Sequence, residues 1–401
     1  MEGDALKAVI LAAGEGTRLR PFTNSRPKVM LPIGNRPILE YVVHALVANG
    51  VRDLILVVGY KKERIMSYFG DGSRFGANIR YMVQDRQLGT AHALTFVKDL
   101  VDDRFLVLSG DNVIDKEMVS TLLSLGEGNS VLVTESNEPS KYGVVLLKDD
   151  RVVAIEEKPR DRIGNIINTG LYSFEPDIIP IMEAGVKIGN YGITQVLSAQ
   201  VPDMRLRAAL AKGEWDDAVY PWDLVRLNEI VLESHGQAIS GTIEPGVTIK
   251  GSVQIGKGTR VRSGTYIEGP VIIGEGCDIG PSSCIFPSTS IGDGVSIEPF
   301  VAIKNCVIMN NIVIGAHSHL CQSVLDDNVR LGPGFSCYCG SAYVRMDDGF
   351  HNVPKIGCMI GDESTTGARV VISPGCIIGQ GCRIGDGAKV STNVENRSTV
   401  I

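Results

Sequence analysis

"VIIGEGCDIGPSSCIFPSTSIGDGVSIEPFVAI", Val271 to Ile303, places an isoleucine at every sixth position: 273, 279, 285, 291, 297 and 303. Neither the 3.6-residue period of a helix nor the two-residue period of an ordinary strand gives this spacing. The register extends back through Ile267, Val261, Ile255, Ile249 and Ile243, and it returns at Ile372, Ile378, Ile384 and Val390. A period of six over this length is the signature of hexapeptide repeats wound into a parallel β-helix, each aliphatic stacking on the layer below. Glycine follows many of the aliphatics (Ile255-Gly256, Ile291-Gly292, Ile384-Gly385) and supplies turn conformations that other residues disfavour. Small residues recur four places on, at Thr259, Cys277, Ser283, Cys376 and Cys382.

That pattern also explains the cysteines. All nine lie after residue 276, and no CxxC pair occurs among them. Cys337 and Cys339, with His317 and His319, leave zinc open, but the spacing is unlike that of tetrahedral sites, and reduced structural cysteines are expected. Gly340–Pro354 interrupts the hexads, contains Asp347, Asp348 and His351, and reads as a binding loop bulging from the coil.

Upstream the pattern changes. Ala8–Leu11, Leu54–Val58, Ile79–Val83, Phe105–Ser109 and Ser130–Thr134 read as strands, while Ile38–Asn49 and Gly89–Leu100 have helical spacing. This alternation predicts a mostly parallel α/β sheet, Rossmann-like, with helices on both faces and ligands in loops beyond the strand ends. A helix over Leu224–Leu232 connects the halves, so domains are expected at 1–232 and 233–401.

The chain has 401 residues and a net charge of −7, which gives no electrostatic reason to expect nucleic acid or an anionic membrane as partner. No apolar run approaches the roughly 18 residues that span a bilayer. The acidic start, MEGDALKAVILAAGEG, is unlike a secretion signal, and a cytoplasmic protein is expected.

The chemistry is concentrated in Leu11–Gly34, "LAAGEGTRLRPFTNSRPKVMLPIG". Leu19 stands where a dinucleotide fingerprint or a Walker A loop needs glycine. What remains is G-x-G-T-R followed by Pro27-Lys28. Gly14 to Thr17 can turn backbone N–H groups onto an anion, Arg18 adds a planar donor fork and Lys28 a movable charge. Two cations on a polyphosphate follow.

GxGTRLxPxT…PK resembles the fingerprint of the sugar-1-phosphate nucleotidylyltransferases. The resemblance continues through "QDRQLGTAHAL" from Gln84, "LSGDN" at 108–112, "KYGVV" at 141–145, "EEKP" at 156–159, "NTGLY" at 168–172 and "PWDL" at 221–224. It implies nucleotide contacts from Leu11, Ala13, Gly14, Gly16, Thr17, Gln84, Gly89 and Thr90, with UTP or dTTP as the nucleotide. Arg18, Lys28 and Asp111 are implied as catalytic residues. Gly143, Glu157, Lys158 and Asn168 would bind glucose-1-phosphate or N-acetylglucosamine-1-phosphate, with Glu156 competing for the role of Glu157. Mg2+ would sit on Asp111 and Asp223, with Asp216 and Asp217 as rivals for the second place. Tyr142 is open to simple packing.

The two-part plan is similar to the bifunctional N-acetylglucosamine-1-phosphate uridylyltransferase/glucosamine-1-phosphate acetyltransferases and to archaeal glucose-1-phosphate thymidylyltransferase-like proteins. This implies a left-handed β-helix, a homotrimer and acetyl-CoA as a second substrate, with His317 as the candidate base. Residues 316–334 and 357–379 resemble the acetyltransferase coils. Cys321-Gln322 replaces a Gly-Asp pair, His319 stands near the place of a family tyrosine, and Phe335–Gly340 replaces an asparagine segment. One residue is also missing between His317 and Ser323, so acetyl transfer is expected to be altered or lost. A non-catalytic regulatory or scaffold relative is the third reading.

Overall fold

The computed structural model describes residues 6–201 and 204–401, so the first five residues of the acidic start lie outside it. By compactness the chain forms two units. The first comprises Met1–Glu15, Pro27–Met30 and Ile38–Asp217; the second comprises Gly16–Arg26, Leu31–Pro37 and Ala218–Ile401. The helix Asp223–Glu233 therefore belongs to the second unit. Within that unit Asn228 accepts from Gly34 N at 2.8 Å and donates to Ser288 O at 3.0 Å.

The first unit is built on a nine-stranded sheet. Its spatial order is Asn78–Val83, Asp53–Val58, Lys7–Ala12, Phe105–Ser109, Ile166–Phe174, Ser130–Glu135, Arg207–Leu210, Arg151–Glu157 and Gly143–Lys148. The first four strands are parallel, as the alternation with helices predicts. Beyond them the sheet is mixed. Ile166–Phe174 runs antiparallel to both neighbours, and Gly143–Lys148 and Arg151–Glu157 form a hairpin, which needs no crossover helix. Successive residues of a strand face opposite sides. Val9, Ile55 and Val107 enter one buried cluster while Ala8, Ile10, Leu54 and Leu106 enter another. Two covered faces are why these strands are apolar throughout. The expected helix over Gly89–Leu100 is shorter, Thr90–Thr95.

The second unit contains the coil, a left-handed β-helix with three parallel sheets of eight, nine and eight strands. Val261 pairs with Ile279 and Ile279 with Ile297, one turn being eighteen residues or three hexads. The next turns are shorter: Ile297 pairs with Ile314 and Ile314 with Leu331, seventeen residues apart. The lost residues fall on two five-residue sides, Ile303 to Ile308 and Leu320 to Leu325, which is why the sixfold register breaks after Ile303. The buried stack runs unbroken from Val253 to Val390, with Cys277, Cys376 and Cys382 inside it. All nine cysteines are free thiols.

The segment expected as a loop is an antiparallel hairpin, Gly340–Met346 with Gly349–Ile356. Its alternation was hidden by the polar tip: Val344 and Val353 are buried, whereas Tyr343 and Phe350 project outward. Among the described residues no helix is long and apolar enough to cross a membrane.

Candidate active site

In the first unit the strand Lys7–Ala12 leads into Ala13, whose carbonyl accepts from Tyr60 N at 3.0 Å. Gly14 is exposed, with open space where a Cβ would stand. In the second unit Gly16 takes a left-handed conformation (φ 72°) and opens a tight turn over Thr17–Leu19. Thr23 Oγ1 pins this turn by donating to Gly16 O at 2.9 Å. Leu19 is fully buried, so the residue that excluded the other phosphate motifs serves as a core anchor. Arg18 Nε lies 3.4 Å from Asp348 Oδ2 at the hairpin tip, and Tyr220 OH donates to the same carboxylate at 2.9 Å.

A charge cluster forms in the first unit where three segments end. Asp111 follows Phe105–Ser109, Lys28 opens the turn Lys28–Met30, and Asp217 ends Trp215–Asp217, paired antiparallel across from Asn112. Lys28 Nζ is 2.5 Å from Asp111 Oδ2. Desolvation pushes the carboxyl of Asp217 above its ordinary range and Asp111 adds to this, while Lys28 and the hydrogen bond from Tyr142 oppose it. A partly buried carboxylate beside a second carboxylate is a donor set that fits Mg2+. Two protein ligands leave room for water and phosphate oxygens, which this ion retains. Among the described residues no three or more His, Cys, Asp or Glu side chains are grouped so as to hold a metal ion without further ligands.

Asp223 is used differently. Its Oδ2 accepts from Val219 N at 2.8 Å and Tyr220 N at 2.7 Å, and its Oδ1 lies 3.7 Å from Arg226. The carboxylate found beside Asp111 is that of Asp217, one of the two rivals. The signal was the pairing of "WDD" with the strand after "GD", a long-range register that spacing does not show.

The sugar-segment residues gather around the same strand ends. Tyr142 OH donates to Asp217 Oδ1 at 2.8 Å, and Tyr142 O accepts from Lys158 N at 3.0 Å. Tyr142 thus does more than pack. Gly143 pairs with Glu157, and a Cβ there would stand 3.1 Å from Glu157 Oε2 and 2.9 Å from Thr194 Cγ2. Lys158 Nζ is 4.0 Å from Glu157 Oε1, and both are partly exposed. Asn168 is buried; its amide nitrogen donates to Tyr172 OH and lies 3.4 Å from Thr194 Oγ1, while its Oδ1 accepts from Gly170 N at 2.9 Å. Burial pushes the Tyr172 hydroxyl up to about 12, so it stays protonated. Trp215 Nε1 donates to Thr169 O at 3.0 Å and its ring meets Tyr142 edge-on, contacts the sequence did not suggest.

Gln84 follows Asn78–Val83 and is almost fully buried. Its Nε2 lies 3.1 Å from Gly89 O and 2.9 Å from His92 Nδ1. A Cβ on Gly89 would stand 2.5 Å from Tyr191 O, so glycine is required there. Thr90 Oγ1 accepts from Ile193 N at 2.9 Å.

In the coil, His317 is exposed and holds a left-handed corner position (φ 59°), its ring stacked on Phe300 at 5.0 Å. Gly264, Ser282, Phe300, Gly334, Arg369 and Gly387 are also left-handed and stand one turn apart in the same column.

Comparisons with known proteins divide the chain by sequence, near residue 234. A family profile described as Nucleotidyl transferase matches residues 7–234, one described as GMPPB C-terminal domain matches 267–341, and one described as Bacterial transferase hexapeptide (six repeats) matches 357–392. A protein of Methanococcus maripaludis named bifunctional protein GlmU is 38% identical over 98% of this chain and 97% of its own length. A glucose-1-phosphate thymidylyltransferase of Streptomyces antibioticus is 35% identical over 64% of this chain and 74% of its own. A crystal structure of a protein assigned as glucose-1-phosphate thymidylyltransferase from Bacillus anthracis, in complex with sucrose, matches with a TM-score of 0.52 at 30% identity, covering 56% of this chain and 95% of that one. With a profile spanning more than half of its length and a relative similar from end to end, the chain belongs to the nucleotidyl transferase family, in the form that continues into a hexapeptide β-helix.

Proposed function

We propose that the enzyme joins UTP or dTTP to a sugar-1-phosphate, glucose-1-phosphate or N-acetylglucosamine-1-phosphate, and releases pyrophosphate. The observation that carries this is the Lys28–Asp111–Asp217 cluster, tied through Tyr142 to Gly143, Glu157 and Lys158. A sugar-phosphate oxygen attacks the α-phosphorus in line, so the protein supplies no nucleophile; its task is positioning and charge neutralisation. Lys28 places an ammonium where negative charge accumulates. Lys158 offsets the charge of the sugar phosphate, and Glu157 and Gly143 N offer hydrogen bonds to sugar hydroxyls. Gln84, with Gly89 and Thr90, faces the base; Leu11, Ala13, Gly14, Gly16 and Thr17 line the nucleotide. Arg18 serves the polyphosphate once its pairing with Asp348 yields. Asp111 and Asp217 would hold Mg2+, which neutralises phosphate charge when bound.

Pyrophosphate release, measured with UTP, dTTP, CTP, ATP and GTP against a panel of sugar phosphates at saturating Mg2+, tests the reading. Turnover is expected with UTP or dTTP; no release with any pair would leave a regulatory or scaffold relative instead.

Acetyl transfer from acetyl-CoA to an amino-sugar phosphate is a second reading, favoured by similarity along the whole chain to a relative named bifunctional. Its candidate base is His317, and thiol release that vanishes in His317→Ala would establish it. We also propose a homotrimer formed through residues 233–401, with the nucleotidyl transfer carried by 1–232; light scattering of the intact chain checks the stoichiometry.

A further inference from the structure

The Gln84 amide has only one orientation available to it. Gly89 O is a carbonyl and can only accept, so the Gln84 atom 3.1 Å away must be the amide nitrogen. That carbonyl is itself fixed, since it also accepts from Ala93 N at 3.0 Å at the start of the helix Thr90–Thr95. The second amide hydrogen points to His92 Nδ1 at 2.9 Å, which requires a lone pair on Nδ1 and places the ring proton on Nε2. The ring is held edge-on against Phe96 at 5.1 Å, and the backbone N–H of His92 donates to Tyr191 O at 3.3 Å. Turning the amide over would set Oε1 against the Gly89 carbonyl, an obligate acceptor, in a residue that is 2% exposed.

Both hydrogens of the amide are thus engaged within the protein, and Oε1 has no hydrogen-bond partner among the described residues. A base meeting Gln84 finds an acceptor and no donor. Uracil and thymine present N3–H to it, whereas N3 of cytosine is itself an acceptor and is repelled.

We propose that His92 is the positioning residue for base selection: it holds the Gln84 amide so that only its carbonyl faces the nucleotide, and the site takes bases that present an imino N–H. This inference rests on the reading of Gln84 as the residue that meets the base. His92 touches Gln84 and is not itself required to touch the nucleotide.

The test compares kcat and KM for UTP, dTTP and CTP in the wild-type chain, His92→Phe, the smaller His92→Leu, His92→Asn and Gln84→Leu, each with its melting temperature. His92→Phe and His92→Leu remove one of the two acceptors that hold the amide, release its second hydrogen toward the base, and leave Gly89 O alone to set the orientation. They are expected to lower the UTP-over-CTP preference in kcat/KM by about 10-fold or more, with the change concentrated in the nucleotide KM. His92→Asn offers Oδ1 near the place of Nδ1 and is expected to restore most of the preference. The inference is overturned if a folded His92→Phe or His92→Leu keeps the wild-type preference, or if His92→Asn loses as much as they do. Gln84→Leu separates the two layers. If it collapses the preference while the His92 variants do not, the role of His92 alone is wrong. If it leaves the preference intact, or if the wild type turns over no pyrimidine nucleotide, the reading of Gln84 fails and this inference with it.

Discussion

The sheet unit and the coil bury their aliphatics by opposite routes. In the sheet, Val9 pairs with Ile55 on one side and Val107 on the other, far apart in the chain. In the coil, Ile279 pairs with Val261 and Ile297, each one turn away. Long-range pairing brings the ends of unrelated segments together, and the charge cluster of Lys28, Asp111 and Asp217 forms where three of them end. Nearest-neighbour stacking repeats one environment and gathers chemistry only where the repeat is broken, as at the hairpin whose tip holds Arg18.

Five substitutions would break or sharpen this contrast. The largest effect is expected at the charge cluster. Lys28→Ala and Asp217→Asn should each lower kcat for nucleotidyl transfer by about 100- to 1,000-fold with the chain still folded, because each removes charge placed for the transition state. A loss below 10-fold in both would move the chemistry elsewhere. Next comes Ile285→Ala, a cavity inside the coil stack, which should cost about 3 kcal/mol in chemical denaturation. Because each turn contacts only its neighbours, the loss should fall on unfolding of the coil and leave the nucleotide KM near wild type; a comparable fall in activity would show the units to be coupled.

Asp223→Asn is expected to cost about 1 kcal/mol, because its carboxylate accepts from two N–H groups of the turn just ahead of the helix and an amide oxygen can still take part. Its effect on kcat should be far smaller than that of Asp217→Asn, and the reverse order would favour Asp223 as the second metal carboxylate. The smallest effect is a slope. Burial raises the Asp326 carboxyl to about 7, against the pull of Arg26 2.9 Å away. A folded pKa above the unfolded one means that this group's contribution is complete below about pH 4 and fades as pH rises through 7. Asp326→Asn should flatten that part of the stability–pH curve, and an unchanged slope would show that Asp326 is ionised throughout.

The two regions were unequally legible. Hexad spacing showed the coil because every turn restates the same requirement for an inward aliphatic. The shortened sides at Ile303–Ile308 and Leu320–Leu325 showed only as a lost register and as one missing residue after His317. Five of the nine sheet strands were visible to within a residue or so at their ends, since two covered faces demand unbroken apolar runs; Gly143–Lys148, Arg151–Glu157, Ile166–Phe174 and Arg207–Leu210 were not read as strands. The rest of the site was obscured for a common reason. Asp217 stands beside Asp111 because Trp215–Asp217 pairs with Asn112–Ile114. Tyr142 passed for packing because the carboxylate it reaches is 75 residues away. His92 looked like one more residue of a short helix, and only its 2.9 Å approach to Gln84 distinguishes it.

By itself the sequence determined the two architectures, the glycine turn after the first strand and most of the residue types the proposed chemistry needs, because periodicity, turn-forming glycine and motif spacing are local properties. Only the tertiary structure showed that Asp217 lies near Asp111, that the hairpin tip pairs with Arg18, and which way the Gln84 amide points. Each depends on a distance of about 3 Å between atoms whose separation along the chain says nothing about it.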